Sequence, residues 1–222
     1  MSEMNDCINT ICAELERWGV QGIPEYKQTL MNNSASTNFK DFLLEGRAAF
    51  MFRKAGFSVT LRDAPDLALE FNGKQLYAEV THFRRKDQDS TDDAKMSEPG
   101  DELIPYGDTV PLEGKPACEQ VYNVAKSKIS QYKQNAPNIL VVGSSSPNCI
   151  EDVDIMTAVE MVNDAVRSDQ CPGFGRLNGI LVILLKSYNI SQKRNAFFYP
   201  TGEPDVPLTP EVVNLLSSIS LG

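Results

Sequence analysis

The stretch DAPDLALEFNGKQLYAEVTHF, residues 63–83, decides the fold of this chain because it is a β-hairpin that carries acidic side chains. DLALEF and QLYAEVTHF have the composition of half-buried strands, and NGK between them is a tight-turn sequence. Asp66 follows Pro65 at the start of the first strand, and Glu79 lies within the second. If both carboxylates share a face of the hairpin they converge. The stretch therefore predicts a divalent-metal site, with the carbonyl of Val80 as a further ligand.

Helices and further strands surround this hairpin in the sequence. Apolar spacing predicts helices over about residues 4–18 and in MNNSASTNFKDFLLEGRAAFMFRKAGF, ACEQVYNVAKSKISQYKQ, EDVDIMTAVEMVNDAVRS and TPEVVNLLSSI, with GVQGIPEYKQ as a break after the first. In the second of these, Ser36, Thr37 and Asn38 are candidate N-caps and Gly56 is a good C′ residue. FSVTLRD, NILVVG and NGILVILLKS are predicted strands, and NAFFYP is expected to pair with the last. Strands that are apolar on both faces need helices on both sides. We therefore predict one α/β domain over residues 1–222, with a central mixed β-sheet flanked by helices on both faces, an N-terminal helical extension (1–35) and a long acidic loop insertion (84–116).

The net charge of −9 is concentrated in one segment. Residues 87–113 hold nine acidic residues and one lysine, whereas the rest of the chain has 21 acidic and 20 basic residues. This balance argues against a protein that coats nucleic acid indiscriminately. The densest basic cluster, Arg84, Arg85 and Lys86, would either contact a nucleic-acid backbone or protect a sheet edge from aggregation. The acidic loop after it is either a solvated segment or an electrostatic gate over the cluster.

Other kinds of site have little support. The five cysteines form no CxxC pair and the only histidine is His82, so we expect neither a disulfide framework nor a zinc site. A single histidine also argues against Ser/His or Cys/His catalysis, and CPGFGRLNG lacks the spacing of a phosphate loop. The longest apolar run, GILVILL, is strand-sized, and the N-terminus lacks a signal-peptide core. We therefore expect a cytoplasmic protein with no membrane partner.

Each candidate residue also has a purely structural interpretation. Asp66 after a proline is commonly a turn residue, and Glu45 and the lysines of KSKISQYKQ would suit solvated helix faces. Glu79 is harder to explain in this way, because glutamate is poorly suited to the middle of a strand.

The order of these motifs resembles the PD-(D/E)XK, or restriction-endonuclease-like, superfamily of nucleases. Pro65 and Asp66 resemble its PD motif, and Glu79 resembles its second acid. Glu45, in LLEGRAAF, resembles the acidic residue often found on the first core helix, and KSKISQYKQNAPNILVV resembles the passage from helix to strand. The similarity covers about residues 38–143. It implies a restriction-endonuclease-like core and hydrolysis of DNA or RNA with Mg²⁺ or Mn²⁺.

Thr81 departs from the family pattern, because it stands where the motif has a lysine. In the family that lysine helps to orient and activate the attacking water and balances phosphate charge. Some members carry it on the following helix, where Lys126 and Lys128 are the candidates. Lys128 lies three residues before Gln131 on a predicted helix, so these two share a face, and Lys128 adjoins the apolar stripe. We therefore favour Lys128 over Lys126.

The resemblance implies that Asp66 and Glu79 bind metal, that Lys128 assists the attacking water, that Gln131 orients and that Glu45 is an accessory acid. Nucleic acid, with DNA favoured over RNA, is the expected partner, and a homodimer is a further expectation. An alternative is a nuclease fold that has lost catalysis and binds nucleic acid or a protein as a regulatory module. A small-molecule α/β enzyme is a third class, which no motif supports.

Overall fold

A computed structural model of the protein describes residues 2–36, 38–83, 116–144, 150, 152–184 and 195–219. Its helices are α1 (Ser2–Arg17), α2 (Ile23–Asn32), α3 (Phe39–Lys54), α4 (Ala117–Ser127), α5 (Asp152–Arg167) and α6 (Pro210–Ile219), with a 3₁₀ helix at Pro172–Arg176. Its strands are β1 (Ser58–Leu61), β2 (Leu67–Phe71), β3 (Lys74–Phe83), β4 (Asn138–Ser144), β5 (Leu177–Leu184) and β6 (Asn195–Pro200). The predicted basic cluster Arg84–Lys86 and the acidic segment 87–113 lie outside the described residues.

The strands form one mixed sheet of six strands in the order β1-β2-β3-β4-β5-β6. β1, β2 and β3 are antiparallel neighbours, β3, β4 and β5 run parallel, and β6 returns antiparallel to β5. Asn72 and Gly73, in the β2–β3 turn, have φ of 50° and 73°. A type I′ hairpin requires positive φ at both central residues, so the NGK signal specified this turn.

Helices cover both faces of the sheet, which confirms the predicted α/β class. Residues of α1, α2, α3 and α6 share one buried cluster with Leu76, Ala78 and Val80 of β3, on what we call the α3 face. Residues of α4, α5 and the 3₁₀ helix share the other cluster with Phe83, on the α4 face. Side chains alternate along a strand, so Glu79 is directed to the α4 face. None of the described helices has the length and apolar character that crossing a membrane requires.

The N-terminal segment differs from the sequence prediction, because GVQGIPEYKQ breaks one helix and also begins another. Gly22, with φ of 79°, ends the connection, and Pro24 lies in the first turn of α2, where its missing N–H costs no helical bond. Gln21 joins the outer edge of β1: its N–H donates to Val59 O and its carbonyl accepts from Leu61 N, both at 2.9 Å. Buried side chains of α1 and α2 belong to the cluster on the α3 face, so these two helices are part of the main core.

The predicted helix through ACEQVYNVAKSKISQYKQ is too long, and this correction bears on the site. Lys128 N donates to Ala125 O at 3.3 Å and Gln131 N donates to Lys128 O at 2.9 Å, so the chain leaves α4 in tight turns. The side chain of Asn138 fixes the end of this passage, because its Oδ1 accepts from Lys133 N and its Nδ2 donates to Lys133 O. The prediction that Lys128 and Gln131 share a helix face is therefore wrong.

Candidate functional site

The two predicted metal-binding carboxylates lie opposite each other where β2 begins. Leu67 pairs with Ala78 in the β2–β3 register, and continuing that register sets Asp66 opposite Glu79. Asp66 Oδ2 accepts a hydrogen bond from Val80 N at 2.7 Å. Directly opposed residues of antiparallel strands place their side chains on one face. The convergence that the hairpin sequence predicted is therefore present.

Pro65 explains why the ladder stops at this point. The continued register would set Pro65 opposite Val80, and proline has no N–H to donate. The side chain of Asp66 takes the Val80 N–H instead. The N–H and C=O of one strand residue point to the same side of the strand, so the Val80 carbonyl is directed towards Asp66 and meets no donor from Pro65. The predicted Val80 ligand lies on the appropriate edge for a cation.

Lys128 supplies the positive charge of the site. Its Nζ lies 2.8 Å from Glu79 Oε1. The Glu79 side chain is only 2% exposed and that of Lys128 is 25% exposed, so the pair lies at the boundary of the core. Glu79 Oε2 is buried and accepts no hydrogen bond within the described part of the chain. A buried carboxylate oxygen without a donor is costly, and a ligand at this position would satisfy it.

Glu45 joins these carboxyls from the middle of α3. Its pKa is raised to about 9, first by burial and then by the charges of Asp66 and Glu79. The Lys128 ammonium opposes this rise. Glu45 therefore keeps its proton at neutral pH in the metal-free protein. Burial, followed by the charge that Glu45 carries once it ionises, raises the pKa of Tyr26, whose hydroxyl donates to the Phe42 carbonyl at 2.8 Å.

Asp66 is also surrounded by more negative than positive charge. Burial raises its pKa to about 7, with the Glu79 charge as the next cause, while the Val80 N–H and the Lys128 ammonium oppose the rise. When Asp66 is protonated it can donate a hydrogen bond to Glu79, which raises its pKa further. Among the described residues these three carboxyl groups lie near one ammonium group, that of Lys128, and protonation of Glu45 and Asp66 reduces the negative charge of the site.

The remaining predicted site residues differ in how deeply they are buried. Thr81, two residues after Glu79, is half-buried on the same face of β3. Gln131 is half-buried in the turn after α4, and its Oε1 is buried without a hydrogen-bond partner within the described residues. Lys126 is exposed on the last turn of α4, so the preference for Lys128 agrees with the structure.

Two features near the site were missed by the sequence analysis. Tyr132 is buried with its hydroxyl donating to Ala125 O at 3.2 Å, and burial followed by the Glu79 charge raises its pKa. A tyrosine within an apolar stripe is the signal that would have suggested a polar contact there. A cavity of about 390 Å³ also opens beside the carboxyls, lined by residues that include Glu25, Glu45 and Asp66.

The donor set fits a hard divalent cation, although it is small. Among the described residues no group of three or more His, Cys, Asp or Glu side chains is arranged to hold a metal ion. Mg²⁺ commonly needs only one or two carboxylates, with waters and substrate oxygens completing the shell. Asp66 and Glu79 supply that number. The unpartnered Glu79 Oε2 and the raised pKa of Asp66 are both features that a bound cation would relieve.

Comparisons of the chain with protein-family models, with curated proteins and with solved structures find no match. The nuclease resemblance is therefore still a prediction from the residues named above.

We expect the metal-free protein to lose stability as pH rises from about 5 to about 9.5. Asp66 and Glu45 have ordinary pKa values of 3.8 and 4.5, which the fold raises to about 7 and about 9. The folded chain therefore binds more protons than the unfolded chain in this range. Its stability is greatest below the unfolded values and declines through the folded ones. Urea midpoints measured in EDTA across this range test the expectation.

Glu45→Gln should remove the upper part of this decline, between about pH 7 and 9.5, because it removes the group that titrates there. Glu25→Gln is the matched control, since Glu25 is an exposed acid on the same cavity, and this variant should keep the wild-type profile. A midpoint that rises between pH 6 and 8.5 in the wild type would contradict the charge arrangement described above.

Proposed function

We propose that the protein is a metal-dependent nuclease that hydrolyses phosphodiester bonds, with DNA favoured over RNA as its substrate and Mg²⁺ or Mn²⁺ as its cofactor. The observation that carries this proposal is the contact of Lys128 with Glu79, beside Asp66. A lysine from the segment after α4 thereby reaches the second acid of the hairpin. It brings to Glu79 the cation that Thr81, in the place of the motif lysine in the sequence, does not supply.

Each residue of the site would have its own role in the proposed reaction. Asp66, Glu79 and the Val80 carbonyl would hold the cation. When bound, Mg²⁺ lowers the pKa of a coordinated water and stabilises charge on the phosphate. Lys128 places an ammonium group beside Glu79, where it would attract a phosphate oxygen and help to orient the attacking water. Gln131 has a buried amide oxygen that meets no hydrogen-bond partner among the described residues, which suits the predicted orienting role. Glu45 holds a proton near the carboxyls at neutral pH.

A second candidate function follows from the same ion pair. Because Lys128 already neutralises part of the Glu79 charge, the site is partly compensated without a metal. A fold with this arrangement would bind nucleic acid or a protein partner as a non-catalytic module. Metal affinity separates the two candidates, since only the nuclease needs the cation.

We expect Mn²⁺ to bind the wild-type protein and Asp66→Asn to weaken that binding by at least about tenfold, the loss of one charged ligand from a small donor set. Asparagine keeps an oxygen that can accept from Val80 N, so the fold should survive. Calorimetric titration at pH 8 measures the affinity, and incubation of single- and double-stranded DNA and RNA with Mg²⁺, Mn²⁺ or EDTA measures cleavage.

Asp63→Asn is the control, because Asp63 is an exposed acid three residues before Asp66 and should titrate Mn²⁺ as the wild type does. Equal affinities for Asp66→Asn and the wild type, or no metal-dependent cleavage of any substrate, would refute the nuclease. Cleavage that persists unchanged in EDTA would refute the role of the metal.

A further inference from the structure

Two basic side chains flank one aromatic ring next to the carboxylates. Arg62 Cζ lies 5.8 Å from the centroid of the Tyr77 ring, and Lys133 Nζ lies 6.0 Å from the same centroid. The Tyr77 hydroxyl donates to Gln75 Oε1 at 3.0 Å, which limits the motion of the ring. The ring quadrupole attracts a cation at this distance. Tyr77 therefore holds two long side chains that would otherwise move freely.

All three residues are linked to the candidate site through short stretches of backbone. Tyr77 lies two residues before Glu79, on the same face of β3. Arg62 N donates to the carbonyl of Asp66 at 2.8 Å. Lys133 follows the turn that carries Lys128, and its backbone is fixed by the side chain of Asn138 described above. The positions of these cations relative to the carboxylates are thus set by the sheet.

The two cations approach Tyr77 from opposite sides of β3. Arg62 follows β1, which lies beyond β2, whereas Lys133 precedes β4. Arg62 Cζ and Lys133 Nζ each lie about 6 Å from the centroid of the Tyr77 ring, so these two atoms are at most about 12 Å apart. A nucleic-acid strand carries one phosphate per about 3.4 Å of helix axis. Two phosphates up to about three nucleotides apart on one strand fall within this limit.

This part of the α4 face is accessible in the described structure. The buried cluster beneath α4 and α5 includes no residue of β1 or β2. Thr60, Ala68 and Tyr77 are half-buried, and Arg62 is exposed. Ala68, which pairs with Tyr77, is small and leaves room above the sheet. Among the described residues, the Tyr77 ring with a cation on each side of it thus lies next to the carboxylates.

We propose that Arg62 and Lys133, positioned by Tyr77, bind the backbone phosphates of a single nucleic-acid strand beside the candidate site. This inference rests on the proposed nuclease function, and it identifies on which side of the carboxylates the substrate lies. Charge complementarity carries it: Asp66 and Glu79 repel phosphates, whereas these two side chains attract them. Recognition through phosphates alone carries no sequence information, so binding is independent of base sequence. Tyr77 is a positioning residue.

The test measures binding of a fluorescent single-stranded DNA oligonucleotide by anisotropy, with Ca²⁺ in place of Mg²⁺ and the probe checked for intactness. We expect the double variant Arg62→Gln/Lys133→Gln to bind at least about tenfold more weakly at low salt. Two lost phosphate contacts should reduce the slope of log Kd against log salt by about 1.5. Tyr77→Leu should weaken binding in the same direction, and Tyr77→Phe should restore it because the ring is kept.

Arg17→Gln/Lys54→Gln is the matched control, because both side chains are exposed on helices of the α3 face and should leave affinity and salt slope unchanged. In cleavage assays the Arg62/Lys133 variant should raise KM and keep kcat. Wild-type affinity and slope in that variant, or no binding by the wild type, would overturn the inference even if cleavage is real. Altered binding without any metal-dependent cleavage would support the phosphate site while refuting the nuclease.

Discussion

Glu79→Gln is expected to reduce Mg²⁺-dependent cleavage by about 10³-fold and to leave the protein about as stable as the wild type. Gln has the shape of Glu, and its remaining oxygen can still accept from Lys128 Nζ, which lies 2.8 Å from Glu79 Oε1. The second oxygen, which is buried and accepts no hydrogen bond from the described residues of the wild type, becomes an NH₂ group that cannot bind a cation. The variant therefore removes the metal ligand and preserves the packing.

The expected stability of this variant follows from the repulsion between Glu79 and the other two carboxyl groups of the site. Glu79 raises the pKa of both Asp66 and Glu45, which means that its charge opposes theirs. Removing that charge should offset the weaker bond to Lys128, so the free energy of unfolding in EDTA at pH 8 should fall by no more than about 1 kcal/mol. A purely structural ion pair would behave differently, because its loss would cost about 3 kcal/mol or more.

Single-turnover cleavage and urea unfolding, measured on the same preparation, test both halves. Glu70→Gln is the control, since Glu70 is an exposed acid on β2 and should change neither quantity. A Glu79→Gln protein that cleaves like the wild type would exclude a catalytic metal at this carboxylate. If the variant loses activity and its free energy of unfolding also falls by several kcal/mol, the role of Glu79 is structural.

The hairpin could be predicted from the sequence because its signals are local. NGK specified a turn that requires two positive φ values, and the strands on either side fixed the register that sets Asp66 opposite Glu79. The apolar character of NILVVG and GILVILL likewise indicated buried central strands, and they became β4 and β5. In each case the deciding residues lie within a few positions of one another.

The route by which Lys128 reaches Glu79 could not be predicted in this way. The choice of Lys128 agrees with the structure, but the stated reason, a shared helix face with Gln131, is wrong. The passage that follows α4 is held at its far end by the Asn138 side chain, which donates to the carbonyl of Lys133 and, at 3.0 Å, to the carbonyl of Arg176. That second contact spans 38 residues of sequence, and no local pattern reports it.

The protonation state of the site could not be predicted from the sequence either. Glu45 resembles a surface glutamate on a helix, and only packing of α3 beside the β2–β3 hairpin raises its pKa to about 9. Arg62, Tyr77 and Lys133 lie on three separate parts of the chain and meet only because the sheet sets β1, β3 and β4 in one order. Contacts between distant segments are fixed by topology, which residue spacing does not contain.

Lys128→Met is expected to be the variant that damages both function and fold. Methionine keeps much of the side-chain volume and removes the ammonium, so the Glu79 carboxylate is left buried and unpaired. Breaking a fully buried pair costs about 3–5 kcal/mol. The Lys128 side chain is 25% exposed, and water therefore screens part of the interaction, so we expect a loss of about 2 kcal/mol at pH 8 in EDTA.

Cleavage by Lys128→Met should fall by about 10²- to 10³-fold, the usual effect of removing one group that stabilises charge in a transition state. Lys126→Met is the matched control, because Lys126 is exposed on the preceding turn and should retain both activity and stability. Equal losses in the two methionine variants would show that overall positive charge, and not the position of Lys128, is responsible.

The double variant Glu79→Gln/Lys128→Met separates the two roles of the lysine. It contains neither the buried carboxylate nor the ammonium, so its stability should return to within about 1 kcal/mol of the wild type, since replacing both partners of a buried pair is often neutral. Its activity should stay at the level of Glu79→Gln, because residues that act together in one site lose activity non-additively. Recovery of folding would show that the lysine stabilises the fold through its charge pair with Glu79, whereas its part in the chemistry is measured by the cleavage rate of folded Lys128→Met. A double variant as unstable as Lys128→Met would instead mean that methionine fails at this turn for reasons of packing, and that the 2.8 Å contact with Glu79 is not what the lysine contributes to the fold.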